Sequence, residues 1–166
     1  MTENATKTIE DRLNIRSVKS TEDYLAAIWN ISRDTQNANL DPRPVRIKDI
    51  AEKLNISSPS VSEYVRKLAM TNKLEVIDRK GVIFTREGER EAKLVINKHR
   101  IVECFLKNCL GMEEKISCNQ SHEMEHVLEL ETVDKLYTFL RGTMGGECNL
   151  DRCPHEQISC ESPTVT

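Results

Sequence analysis

Between Cys118 and His126 the chain reads Cys-Asn-Gln-Ser-His-Glu-Met-Glu-His. On a helix, His122, Glu125 and His126 stand at i, i+3 and i+4, and Cys118 lies one turn back on the same face. Imidazole serves zinc, iron or manganese, carboxylate favours the harder ions and thiolate draws the softer ones, so this face is a candidate transition-metal site. A polar helix face that carries two histidines accounts for the segment equally well. His99 and Glu103, at i and i+4 on an earlier amphipathic stretch, move the balance toward metal binding. A second group, Cys148, Cys153, His155 and Cys160, lies in the loop-like stretch 142–166. Three thiols and an imidazole suffice for a zinc site or, with a further cysteine, an iron–sulfur cluster. Their spacing matches no defined motif, and a tail that covers neighbouring helices is the favoured reading.

The elements that must position these donors are helices. The chain has 166 residues, 31% of them charged and 4% aromatic, which suits one ordinary domain or two small ones, rich in helix. No apolar run is long enough to span a bilayer, and the first twenty residues lack a hydrophobic signal core. A cytoplasmic protein is expected, with no membrane partner. In that setting the six cysteines, Cys104 and Cys109 among them, read as free thiols or metal ligands rather than a disulfide scaffold. The net charge of −3 hides an asymmetry. Residues 1–42 carry five basic against seven acidic side chains, 43–107 fifteen against nine, and 108–166 four against eleven. A basic centre in an acidic protein is the footprint of a polyanion partner, with uneven solvation of helix faces as the alternative.

Residues 1–19 lack periodicity and read as a flexible arm. Tyr24, Leu25, Ile28 and Trp29, with Ile31 beside them, make a first helix stripe, capped by Ser20 or Thr21, and the polar stretch 34–44 is a loop. Ile47, Ile50, Ala51 and Leu54 give a second helix its inward face, and Asn55-Ile56-Ser57 breaks it. Ser58 as N-cap and Pro59 at the first helical position start a third, with Val61, Val65 and Leu68 inward. This leaves Ser57, Ser58, Pro59, Ser60, Glu63, Tyr64 and Lys67 for the outer side. Hydroxyls at a helix N-terminus suit phosphate and the major groove, although a helical hairpin in a bundle would share the apolar spacing. The bundle does not predict a β-hairpin, and residues 74–85 alternate and turn at Asp78-Arg79-Lys80-Gly81, a hairpin with a basic tip. Helix, turn, helix and basic hairpin make a winged helix-turn-helix, with Arg79 and Lys80 at the wing.

Thr85 caps a long helix over about 86–110, striped by Ala92, Val95, Val102, Phe105, Leu106 and Leu110 and stopped by Gly111. A short segment, the helix with His122 to His126, and a helix over about 132–140 with Val133, Leu136, Tyr137 and Leu140 inward complete the chain. These short helices hold little apolar surface, and dimerisation would finish their core while pairing two reading helices for a palindromic site. The expected fold is mainly α: a winged helix-turn-helix over 20–90, then a helical metal-binding and dimerisation domain over 91–141.

The order of elements, with Thr21-Glu22-Asp23-Tyr24-Leu25, Ile50-Ala51-Glu52-Lys53-Leu54, Ser58-Pro59-Ser60-Val61-Ser62, Lys98-His99-Arg100 and Glu125-His126-Val127-Leu128, resembles the DtxR/MntR family of metal-dependent repressors over roughly residues 20–140. The resemblance implies a homodimer that binds double-stranded operator DNA when Fe(II) or Mn(II) occupies sites between the first helix and the dimerisation helices. It implies Asp23, His99, Glu103, Cys118, His122, Glu125 and His126 as ligands. Asp23 stands where manganese-type members have aspartate and iron-type members methionine, and Cys118 stands at a histidine of the iron type. Ala26 replaces a bridging glutamate of the manganese type, which argues against a paired manganese centre, and His122 fits neither subtype. The ligand set leans slightly to iron. The SH3-like third domain of longer iron-type members is expected to be absent.

The function expected is metal-dependent repression of metal-homeostasis genes, without an enzymatic activity or a small-molecule substrate. Two other classes remain: a thiol or iron–sulfur redox sensor on the same scaffold, and a metal-dependent enzyme, which would require an open coordination position and a pocket.

Overall fold

Tyr24, Ile28, Val45, Ile50, Ala51, Val61, Val65, Leu68, Leu74 and Val82 form one buried cluster, drawn from every element of the N-terminal half. The computed structural model describes residues 21–33 and 43–144. The arm, Ser20, most of the 34–44 loop and the tail cysteines with His155 lie outside the described residues. Contacts divide the chain into Met1–Lys93 and Leu94–Thr166.

In the first unit, helix α1 covers 21–33, α2 is Ile47–Leu54, α3 is Ser58–Met70, and strands β1 (Leu74–Ile77) and β2 (Gly81–Phe84) form the hairpin. Asn55 ends α2 in the left-handed region, φ 54°, and its N–H returns to the Ala51 and Glu52 carbonyls, so the turn into α3 is tight. The α3 cap is Ser57, whose hydroxyl accepts from the Ser60 N–H. The expected cap was Ser58, one residue later. Both serines precede an apolar stripe, and the extended backbone of Ser57, φ −71° and ψ 143°, decides between them.

The hairpin pairs Leu74 with Phe84 and Ile77 with Gly81, antiparallel. Val45 adds a third rung: its N–H donates to the Val82 carbonyl at 2.8 Å, and the Val82 N–H returns to Val45 at 2.9 Å. Gly81 permits this approach. Its φ is +126°, and a Cβ there would lie 2.1 Å from the Val45 carbonyl oxygen, a position only glycine tolerates.

Thr85 caps α4 (Arg86–Asn108) as expected, its hydroxyl accepting from the Gly88 N–H at 3.1 Å. That oxygen also donates to the Asn72 carbonyl at 2.6 Å, so one side chain ties the helix start to the residues before β1. The second unit holds the rest of α4, then α5 (Glu114–Glu125) and α6 (Leu130–Met144). Gly111, φ +65°, closes α4 where the sequence placed the stop. Leu110 is 58% exposed, not part of the buried stripe, because α4 ends at Asn108 and the chain leaves the helical face there. Val102, Leu106, Val133 and Leu140 are buried, and Phe105 meets Phe139 edge to face at 6.3 Å. Residues 130–131 and 141–144 extend α6 beyond the span expected.

Candidate metal centre

Glu125 is the hub of the second unit. It is 2% exposed at the C-terminal end of α5, and a carboxylate so buried is costly unless opposite charge or donors surround it. Its two oxygens are both engaged: Oε2 lies 2.7 Å from His99 Nδ1 on α4, while Oε1 lies 3.1 Å from His122 Nδ1 and 3.5 Å from His126 Nε2. Burial pushes the Glu125 carboxyl up, but hydrogen bonds from His122 and His99, and the charges of those two rings, more than offset it and hold it below the ordinary carboxylate range. The carboxylate is therefore held ionised, the form that metal ligation would require.

His99, His122 and Glu125 bring one donor atom each within 4.8 Å of one another. The far nitrogen of His99, Nε2, lies 3.9 Å from Glu103 Oε2 and 3.9 Å from Cys118 Sγ, so one imidazole borders donors on both α4 and α5. Glu103 is itself buried, at 4%. His126 follows the last residue of α5 as its C-cap. Two imidazoles and one carboxylate on adjacent helices suit a divalent ion of borderline hardness, so the residues present fit the metal that the resemblance implies.

Local packing explains the convergence. Ser117 and Ser121 are fully buried, and each returns its hydroxyl to its own helix, to the Glu114 and Ser117 carbonyls. Small, self-satisfied residues let α5 lie close on its buried side. Lys98, absent from the expected site residues, reaches the Glu125 carbonyl at 3.4 Å and that of Leu128 at 3.2 Å. An ammonium at a helix C-terminus satisfies orphan carbonyls and complements the helix dipole. Its signal was present, since it adjoins His99 on α4.

The cysteines differ from expectation. Cys104 and Cys118 are disulfide-bonded, not free thiols, while Cys109 is free and exposed. Asp23 stands in the first turn of α1, half-buried, in the other unit.

In that unit the expected DNA-contacting residues fall into two sets. Ser57, Ser58, Pro59, Ser60, Glu63, Lys67, Arg79 and Lys80 are exposed, and Glu63 pairs with Lys67 at 3.0 Å. Tyr64 instead turns to α1. It stacks on Tyr24 with centroids 4.3 Å apart, and its hydroxyl lies 3.0 Å from Thr21 Oγ1.

Residues 16–82 match the iron dependent repressor N-terminal DNA binding domain, and residues 85–160 the iron dependent repressor metal binding and dimerisation domain. The chain belongs to the iron-dependent repressor family. Its domains are those of a metal-dependent, DNA-binding transcriptional regulator, in the order and fold expected. Among relatives of this family, the transcriptional regulator MntR of Escherichia coli is 33% identical over 118 residues, 71% of each chain. An uncharacterised HTH-type regulator of Methanocaldococcus jannaschii is 29% identical over 74% of this chain and 93% of that one. The manganese regulator SloR superposes with a TM-score of 0.60 at 30% identity over 73% of this chain. The chain spans 53% of the SloR chain, which makes that protein about twice the matched length. No described helix is long and apolar enough to cross a membrane.

Proposed function

We propose that the protein is a cytoplasmic, homodimeric repressor that binds a palindromic operator when Mn(II) or Fe(II) is bound, and that it has no catalytic role. The observation that carries this reading is Glu125, buried at 2% and held between His99 on α4 and His122 on α5. His99, Glu103, His122, Glu125 and His126 would hold the ion, with Asp23 added on the strength of the family resemblance. With Cys118 in a disulfide, the remaining donors are nitrogen and oxygen, a set that serves Mn(II) and Fe(II) alike. A bound divalent ion supplies positive charge that balances the buried carboxylates and joins their segments.

The chain's own groups do the rest. Ser57 and Ser60, at the exposed N-terminus of α3, offer hydroxyls to phosphate, and the helix they open presents Glu63 and Lys67 toward base edges. Glu63, once released from Lys67, could accept from a cytosine amino group, or repel phosphate and narrow the choice of site. Arg79 and Lys80 at the wing tip add sequence-independent contacts. Metal affinity and operator affinity are linked reciprocally by this scheme. Operator titration by fluorescence anisotropy with Mn(II), with Fe(II) under anaerobic conditions and with chelator tests it. Equal affinity in all three conditions, or none in any, would sink the reading.

A further inference from the structure

Helix α3 turns Val61, Val65 and Leu68 inward and leaves Glu63, Arg66, Lys67 and Met70 exposed. These four stand at i, i+3, i+4 and i+7, so they share the face opposite the apolar stripe. The same spacing serves the reading helix of a homeodomain, whose base contacts in the major groove come from i, i+3, i+4 and i+7. Two of the four are already engaged with each other. Lys67 Nζ lies 3.0 Å from Glu63 and 5.9 Å from the centre of the Tyr64 ring, while Tyr64 itself is stacked on Tyr24. Arg66 makes no ion pair, hydrogen bond or ring contact among the described residues. Met70, one turn beyond it, is 87% exposed, the most exposed large apolar side chain among the described residues. Neither Arg66 nor Met70 was among the DNA-contacting residues expected from the sequence.

We propose that Arg66 is a specificity-determining residue of the DNA-binding surface that selects a guanine in each half-site, and that Met70 beside it packs on a thymine methyl group. The inference rests on the operator-binding reading above and deepens it by naming what is read. A guanidinium presents a planar fork of donors that matches guanine O6 and N7, both acceptors at the floor of the major groove. Lys67 carries a point charge already shared with Glu63, so the fork of Arg66 is the unspent donor on this face. The Met70 thioether is at best a weak acceptor and otherwise apolar, and the apolar group that the major groove offers is the C5-methyl of thymine. From Arg66 to Met70 the helix advances about 6 Å, close to two base-pair steps of about 3.4 Å each. With α3 lying along the groove, the guanine and the thymine therefore fall within about two base pairs of each other. Ser57 and Ser60 at the helix start bind phosphate and fix the register, which carries no sequence information by itself. Arg66 and Met70 supply that information one and two turns further on.

The test is selection from a randomised duplex library by the full chain with Mn(II), comparing wild type, Arg66→Ala, Arg66→Lys and Met70→Ala. The wild type should recover half-sites with a guanine that Arg66→Ala no longer selects. Discrimination at that position should fall by about 5- to 150-fold, with the rest of the site kept. Arg66→Lys keeps the charge without the fork, so it should restore overall affinity and only part of the discrimination. Met70→Ala should weaken a thymine preference within about two base pairs of that guanine and leave other positions unchanged. Both residues are exposed, so the variants should melt with the wild type and a change in selection is not a change in folding. Arg66→Ala recovering the wild-type site with the same preference at every position overturns the proposal. So does uniform weakening on all sequences with the salt slope reduced by about one, the mark of a phosphate contact. An unchanged thymine preference in Met70→Ala removes Met70 from the reading face. In each of these cases, Mn(II)-dependent selection by the wild type leaves the repressor reading standing. A wild-type chain that recovers no sequence with Mn(II), and none with Fe(II) under anaerobic conditions, removes that reading and this one together.

Discussion

Tyr24 lies flat on Tyr64, with ring centroids 4.3 Å apart and planes 16° from parallel, so a stacked pair joins the first turn of α1 to the middle of the reading helix α3. Burial, then the neighbouring Tyr64 and Glu63, raise the Tyr24 phenol above its ordinary value, as expected for a neutral ring kept out of water. Tyr64→Ala removes the stack and part of the burial and should destabilise the protein by about 2–3 kcal/mol. Tyr64→Phe removes only the hydroxyl contact with Thr21 and should cost about 1 kcal/mol. Urea unfolding followed by circular dichroism measures both; equal losses would show that the stack contributes nothing.

Glu125→Gln keeps the shape of the hub and removes its charge. Metal affinity should fall by at least about tenfold, because the carboxylate serves as the common partner of the His99 and His122 rings. Isothermal titration with Mn(II) gives the number directly, and an unchanged dissociation constant would show that Glu125 is a structural partner of the histidines rather than a ligand.

Two glycines have no tolerance for a side chain. A Cβ on Gly88 would lie 1.8 Å from the Lys73 carbonyl oxygen, and one on Gly81 would lie 2.1 Å from that of Val45. Gly88→Ala and Gly81→Ala should each cost more than about 2 kcal/mol, since the obstructing atoms are backbone and Gly81 adds an unfavourable φ. Thermal melts of both variants should drop by several degrees; wild-type melting for either would mean that the wing is free to shift.

Ser57 caps α3 and stands at its exposed N-terminus. Ser57→Ala should cost about 1 kcal/mol of stability and weaken operator binding, whereas Ser58→Ala should leave the cap intact. Comparing the two in unfolding and anisotropy experiments separates capping from DNA contact. If Ser58→Ala proved the more destabilising, the cap would belong to that residue.

Lys98→Met preserves the aliphatic stem but removes the ammonium from the Glu125 and Leu128 carbonyls. The last turn of α5 should fray, with faster amide exchange around His122 to Leu128 and weaker Mn(II) binding. Exchange rates matching the wild type would show that packing alone holds that turn.

What the amino-acid sequence determined was whatever depends on near neighbours. Turn chemistry at Asp78-Arg79-Lys80-Gly81, the αL break at Asn55, the Thr85 cap and the stop at Gly111 each act within a few residues, so helix, turn, helix, hairpin and long helix were legible in order. The spacing of His122, Glu125 and His126 was legible for the same reason, because a helical repeat alone puts them on one face. The placement of the α3 cap was not, since two adjacent serines satisfy the same local rule. Tertiary structure decided what depends on which helix lies against which. His99 and Glu125 are 26 residues apart, and only the antiparallel packing of α4 on α5 brings the imidazole to that carboxylate. Cys104 and Cys118, which read as thiols, are disulfide-bonded, and Tyr64 turns to α1 because Tyr24 offers it a face. Periodicity reports which side of a helix is apolar; the partner of that side is chosen by the whole chain, through contacts that form only when distant segments meet.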